Sequence, residues 1–416
     1  MRVAMLSWEF PPNNVGGLAR HVYDLSNALV RQGTEVLVFT CGAAGAPEVE
    51  EVNGVRVYRA HPYTTGTPDF ATWVMQFNVA LLERAFPAIE RVRDVNVIHA
   101  HDWLVAWAAR ALKHAHRLPL VATIHSTEFG RNNGLHNQTQ RFISGVEWWL
   151  VYEAWRVIVC SRYMEGELKY VFQVPSDKLL TIQNGVEPKN FAMDNESQVT
   201  REWFAAPDEQ IVFYIGRLVR EKGVQVLLAA APEILTRHPR TKFVIAGKGP
   251  YEGELRHYAD RLGIAHRVYF TGYVDDSTRN ALYNWAAVAV FPSLYEPFGL
   301  VALEAMAAKT PVVVADTGGL SEIVHDGIEG LKCPPDNTAA LAERVSRLLA
   351  DPGLAGALRE RAYRKVLKEC NWDDVARQTR AVYDEVWQNR RRVRWPEIME
   401  VRPRLSGKVY QLLGRA

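Results

Sequence analysis

The stretch Ser293-Leu294-Tyr295-Glu296-Pro297-Phe298-Gly299-Leu300-Val301-Ala302-Leu303-Glu304-Ala305 decides how this chain is read. Residues 285–292 before it are apolar and have the character of a buried parallel strand. The residues after it form a helical pattern opened by Pro297 and Gly299. Glu296 therefore sits on a strand-to-helix loop, and Glu304 lies inside the helix. Open α/β sheets bind ligands at the carboxyl ends of their strands. A helix N-terminus there favours an anion such as a diphosphate. A nucleotide-sugar site accounts for this pattern better than a structural turn.

Working outward, short apolar runs alternate with helical patterns along the whole chain. Strands are predicted at 3–8, 35–40, 55–60, 95–100, 118–125, 155–160 and 178–182, then at 211–216, 241–246, 267–271, 287–292 and 311–315. Helical periodicity fills the gaps, as at 17–31, 104–114, 138–152, 223–237, 253–262 and 277–285. Such alternation in both halves predicts an α/β protein of two doubly wound parallel sheets. The polar stretch 184–201 is the expected linker.

The chain has 416 residues, too many for one ordinary core. A formal net charge of +2 gives no overall case for nucleic acid. Cys41, Cys160, Cys333 and Cys370 are far apart and read as buried thiols of a reducing compartment. The N-terminus runs directly into a strand, and no apolar stretch reaches the ~20 residues of a membrane span. The expected location is the cytoplasm. The tail carries Arg390, Arg391, Arg392, Arg394, Arg402, Arg404, Lys408 and Arg415 against Glu397 and Glu400. It reads first as a solvated helix packed through Val393, Trp395, Ile398 and Leu412, and second as a contact for an anionic membrane or a polyanion.

Three other clusters lie where strands end. Gly16 and Gly17 close the loop after the first strand, where glycines let backbone amides approach a ligand. Arg217 and Lys222 flank the loop after strand 211–216; a planar fork and a point charge there suit a diphosphate. The bland alternative is two surface cations, one paired with Glu221. His99, His101 and Asp102 end one strand, and His125 ends the next. Metal ligation by His99, His101 and Asp102 lacks a third spaced ligand cluster, so no metal is assigned. Polar neighbours Ser126, Thr127 and Glu128 place His125 at a cleft, as a contact to a sugar hydroxyl. The chain has no D-x-D, the pattern that holds a diphosphate through a divalent ion; Arg217 and Lys222 can supply that charge instead.

Taken in order, Gly16-Gly17, Asn184-Gly185-Val186, Gly216-Arg217-Leu218, Glu221-Lys222-Gly223, the Glu296–Glu304 pair and Thr317-Gly318-Gly319 resemble the retaining glycosyltransferases of GT-B fold, family four. The resemblance implies an acceptor-side domain at 1–188, a nucleotide-sugar domain at 189–370, and C-terminal helices at 371–416 crossing back to the first. It implies that Arg217 and Lys222 hold the diphosphate, Glu304 the ribose, and Glu296 with the amides of Phe298, Gly299 and Leu300 the donor sugar. Gly17 would lie against the diphosphate and His125 near the reacting sugar. No cofactor or metal is implied beyond the donor itself.

The segments His101-Asp102-Trp103, His125 to Arg131, Gly134 to Asn137 and Glu147-Trp148-Trp149 are similar to bacterial and archaeal glycogen or starch synthases. The implied donor is ADP- or UDP-glucose and the implied acceptor an α-1,4-glucan. The chain departs from the longer glycogen synthases in its length and in lacking Lys-x-Gly-Gly near its start. A small sugar phosphate such as glucose 1-phosphate is the other acceptor class. Residues 128–137 read as a Gly/Asn-rich loop at the acceptor rim, so Asp102, Arg131 and His136 are the candidate acceptor contacts. Trp148 and Trp149 read as core, with sugar stacking the alternative. An NDP-sugar epimerase or a non-catalytic sugar-binding protein would use the same cleft differently. The sequence sets no oligomeric state.

Overall fold

The computed structural model describes residues 1–14, 16–63, 66–67, 69–193 and 199–395. Its first sheet is built from β1 (Arg2–Leu6), β2 (Glu35–Cys41), β3 (Val49–Val52), β4 (Val55–Ala60), β5 (Val97–His101), β6 (Leu120–Ile124), β7 (Arg156–Val159) and β8 (Leu179–Thr181). Their order is β3-β4-β2-β1-β5-β6-β7-β8, parallel except for β3 against β4. The second sheet holds β9 (Gln210–Ile215), β10 (Thr241–Ala246), β11 (Val268–Gly272), β12 (Ala286–Phe291), β13 (Val312–Ala315) and β14 (Leu331–Cys333). It is parallel in the order β11-β10-β9-β12-β13-β14.

These strands are apolar on both faces because helices cover both. Residues 3–6 of β1 and all of β13 are buried, the pattern of a doubly covered parallel sheet. The helix Gly17–Arg31 turns Leu18, Val22, Leu25, Ala28 and Leu29 inward, one stripe at helical spacing. The long helix Trp372–Arg392 packs on the first half: Trp372, Val375, Val382, Tyr383 and Val386 join Val3, Val22 and Leu25 in one core. Arg31 pairs with Asp373 at 2.6 Å on the rim of that contact.

Strand order reverses between β1 and β5 in the first sheet, and between β9 and β12 in the second. Ligand crevices form at such switch points, outside the carboxyl ends of the strands. The loops after β1, β5, β9 and β12 carry most of the residues singled out above, and His125 follows β6.

Several readings of the sequence need correction. The edge strands β3 and β14 were not expected; each is three or four residues long, too short for an alternating pattern. Residues 128–132 form a short helix, Glu128–Asn132, where a loop was expected; the Thr127 side chain accepts from Gly130 N and caps it. Trp148 is 46% exposed, stacked on Tyr152 rather than in the core. Val393 is exposed, while Trp395 stacks on Trp155. Ile398, Arg402, Arg404, Lys408, Leu412, Arg415, Glu397 and Glu400 lie outside the described residues. Among the described residues, no helix is long and apolar enough to cross a membrane.

Candidate active site

On the second sheet, two loops are stitched together at the switch point. Leu294 N and Tyr295 N both donate to the Glu221 carbonyl, at 2.8 and 3.2 Å. Gly223 has φ +72, and a Cβ there would lie 1.9 Å from the Pro292 carbonyl oxygen, so no other residue lets the loops close. The consequence is a fixed pair: Lys222 Nζ lies 2.7 Å from Glu296 Oε2, and Ser293 Oγ donates to the same oxygen at 3.2 Å. Glu296 is buried. Its carbonyl accepts from Gly319 N at 2.8 Å. Gly318, at φ +51, sits so close that a Cβ would be 2.0 Å from that carbonyl oxygen. The Thr317-Gly318-Gly319 turn is thus the mould for the Glu296 loop.

Gly299 leads into the helix Leu300–Ala307, whose N-terminus points its dipole's positive end at the loop. One turn on, Glu304 accepts from Tyr283 Oη at 3.2 Å. It faces Arg20 of the first half. Burial works against the Arg20 charge, but Glu304, Asp24 and Asp276 raise its pKa. Arg217 pairs with Glu221 at 3.7 Å and is about half exposed, as the bland reading of the cations anticipated for one of the two.

The first sheet supplies the opposite wall. Glu9 is buried, and its Oε2 accepts from Gly16 N at 2.9 Å, which shapes the glycine turn. Gly17 abuts Leu300 across the cleft: a Cβ there would stand 3.1 Å from Leu300 Cδ1. Asp102, at φ +59, accepts from His125 N at 2.8 Å. Burial raises the Asp102 carboxyl to about 6, against the pull of that backbone bond. Burial likewise lowers His125 to about 3, so its imidazole is neutral.

The two walls are pinned beside the site. Tyr295 Oη donates to Glu167 Oε1 at 2.9 Å, Ser161 Oγ donates to the Pro297 carbonyl at 2.6 Å, and Glu322 accepts from Arg162 N and Tyr163 N at 3.1 and 2.8 Å. The structure therefore gathers Gly17, Leu300, Lys222 and Glu296 into one cleft, with Arg217, Gly299, Phe298 and Glu304 on its second-sheet side.

Each of the three acceptor candidates has a partner within the protein. Asp102 is buried, and its Oδ1 accepts from the His125 backbone N–H at 2.8 Å. Arg131 donates to Ser126 Oγ at 2.6 Å and sits 3.2 and 3.4 Å from Glu128 and Glu147. It is a compensated cation of the wall, not a free one. His136 is exposed, with Nε2 2.9 Å from the Asn132 carbonyl. Sequence reasoning missed His21, Arg20 and Glu322. Arg20 and His21 lie one turn into the helix that Gly17 opens, and that position was the available signal. Glu322 gave none, being one carboxylate among many.

The Glycosyltransferase Family 4 model matches residues 15–190, and that of Glycosyl transferases group 1 matches 196–365. An uncharacterized glycosyltransferase of Methanocaldococcus jannaschii is 41% identical over 92% of this chain and 98% of its own. The glycogen synthase of Mycobacterium tuberculosis is 37% identical over 92% of this chain and 94% of its own. The solved sucrose-phosphate synthase of Thermosynechococcus elongatus superposes with a TM-score of 0.80 at 29% identity, covering 94% of this chain and all of that one. The chain belongs to the GT-B-fold glycosyltransferases of family 4.

Proposed function

We propose that the protein moves glucose from ADP- or UDP-glucose onto an α-1,4-glucan, with retention at the anomeric carbon. The observation that carries this reading is the Lys222–Glu296 pair, 2.7 Å apart at the switch point of the second sheet. In the structure Lys222 pairs with Glu296. When the donor binds, the ammonium turns to the diphosphate, and Glu296 is released to the sugar hydroxyls. Arg217 adds a second cation, and the helix N-terminus at Leu300 adds amides. Glu304 takes the ribose. The leaving diphosphate, stabilised by these charges, takes the proton of the incoming hydroxyl on the same face of the sugar, which keeps the anomeric configuration. No metal is assigned to this chemistry, so turnover persists in excess EDTA; loss that magnesium or manganese restores overturns that point.

The Arg131 cluster favours the neutral acceptor. A phosphate on glucose 1-phosphate would meet a guanidinium already compensated by Glu128 and Glu147. The glycogen synthase relative supports the same choice. The test is an NDP-sugar panel against maltooligosaccharides and glucose 1-phosphate, read as NDP release. Release with maltooligosaccharides is expected. Release with glucose 1-phosphate alone favours a phosphorylated disaccharide as product, and epimerised donor without any acceptor sinks the transferase reading.

A further inference from the structure

Three histidines from separate elements meet beneath the cleft. His21 comes from the helix Gly17–Arg31, His101 from the end of β5, and His125 from the loop after β6. One ring nitrogen of each lies within 4.8 Å of the others. His101 Nδ1 and His125 Nε2 are 3.2 Å apart. That is also close to the spacing of two nitrogens on one tetrahedral ion, about 3.3 Å for metal–nitrogen bonds of 2.0–2.1 Å. The rings of His21 and His125 stand edge to face at 4.6 Å.

The hydrogen bonds around the cluster leave nitrogens over. His21 Nδ1 lies 2.8 Å from Asn184 Oδ1. A carbonyl oxygen only accepts, so Nδ1 carries the proton and Nε2 keeps its lone pair. His101 offers the Nδ1 that faces His125 and so keeps its proton on Nε2, which is buried without a partner, whereas the His21 Nε2 is buried with its lone pair bare. A second shell that fixes one nitrogen and bares the other is how ligating histidines are held. The neighbouring His99 shows the contrast: Tyr383 Oη and Thr123 Oγ1 occupy its two nitrogens at 2.6 and 2.7 Å. It has none to offer. Trp372 Nε1, on a ring 5.5 Å from His21, is also buried without a partner, a donor for a water or hydroxide on an ion. Burial keeps all three imidazoles neutral, since it pushes His21 and His101 well down and His125 to about 3.

We propose that His21, His101 and His125 form a binding site for one divalent transition-metal ion of the zinc class. Three imidazoles select such ions over magnesium or calcium, which prefer oxygen. With three protein ligands the fourth position stays open. The ion would hold His125 by its imidazole, so it inhibits the transferase. This consequence rests on the position near the reacting sugar that the family resemblance implies for His125; the site itself does not.

The test is a cobalt titration of the full chain after chelator treatment, without substrate. One cobalt per chain, with the visible bands of four-coordinate cobalt displaced by zinc, is expected. His21→Asn should weaken binding by more than tenfold, and Asn184→Ala, which leaves all three ligands, by about 10–100-fold. Far-UV circular dichroism confirms that each variant is folded. Lys222→Met, in the cleft but outside the cluster, should bind cobalt like the parent. Zinc should then inhibit NDP release in the parent at the concentration that fills the site. Absence of a cobalt spectrum, or equal spectra in parent and both cluster variants, overturns the site. So does a zinc-soaked crystal with only a water among the three rings and no anomalous signal there. Zinc binding without inhibition overturns the consequence for His125 and leaves the site standing.

Discussion

Removing the ammonium of Lys222 separates catalysis from stability. Lys222→Met keeps the apolar stem and deletes the charge. In the proposed transition state that charge faces the leaving diphosphate. Deleting one preorganised donor of developing charge costs ~3–4 kcal/mol, or 10²–10³ in kcat. For stability, the same change leaves Glu296, 8% exposed, with Ser293 Oγ at 3.2 Å as its remaining side-chain donor. Breaking a fully buried pair costs about 3–5 kcal/mol. Lys222 is 20% exposed, so water partly screens the loss and about 1–3 kcal/mol is expected. The double variant Lys222→Met/Glu296→Gln removes both charges. It should regain most of the stability and none of the activity. Urea midpoints and initial rates of NDP release at saturating donor measure the two effects. A near-normal kcat for Lys222→Met refutes the reasoning, as does recovery of turnover in the double variant, which would mean that the lysine serves only to balance Glu296.

The two glutamates should part by phenotype: Glu304→Ala raises donor KM more than it lowers kcat, because a ribose contact is equal in ground and transition states, whereas Glu296→Ala lowers kcat; identical kinetics would contradict the division. Gly318→Ala forces a Cβ to within 2.0 Å of the Glu296 carbonyl oxygen at φ +51; it should lose about 1–3 kcal/mol of stability and depress kcat, and an unchanged melting curve and rate would show that the turn does not mould the loop. Burial raises Asp24 to about 6 from 3.8, with Arg20 and Arg31 pulling down and Glu304 and Glu187 pushing up. The native state therefore holds this proton more tightly, so stability falls as pH rises from about 4 to 6. Asp24→Asn should gain about 1–3 kcal/mol relative to the parent above pH 6, since two pKa units are worth ~3 kcal/mol and Arg20 loses a neighbour 3.9 Å away. The gain should vanish near pH 4, and a constant difference across that range would deny the shift.

The fold was legible because its signals are local. Doubly buried strands such as β1, β12 and β13 are continuous apolar runs, and Gly17, Gly223 and Gly299 mark the turns between them and their helices. Strand ends were less so: the expected strand 3–8 outruns β1, which ends at Leu6, and although Ser7 N still donates to the Phe39 carbonyl at 3.0 Å, Trp8 already belongs to the Glu9 loop. β3, Val-Glu-Glu-Val, carries two acids and pairs along one edge only, which is context that a sequence does not display. At the site, residues on loops after strands were found because the topology sends those loops to one crevice. What stayed hidden depends on partners distant in sequence. Arg131 looks like a free cation until Glu147 is placed beside it. Asp102 looks like a cleft acid until its carboxylate is seen to take the amide of His125. His21, His101 and His125 are 80 and 24 residues apart in sequence, and only the packing of three elements brings their rings together.

Stepwise glucosyl transfer to a neutral α-glucan is the activity proposed for this protein. It is tested most directly by incubating the protein with labelled ADP- or UDP-glucose and one maltooligosaccharide of defined length, then resolving the products by size. A ladder rising by single glucose units, each digestible by an α-glucosidase, is the predicted result. No ladder with either donor, and a single phosphorylated disaccharide when glucose 1-phosphate replaces the glucan, would contradict it.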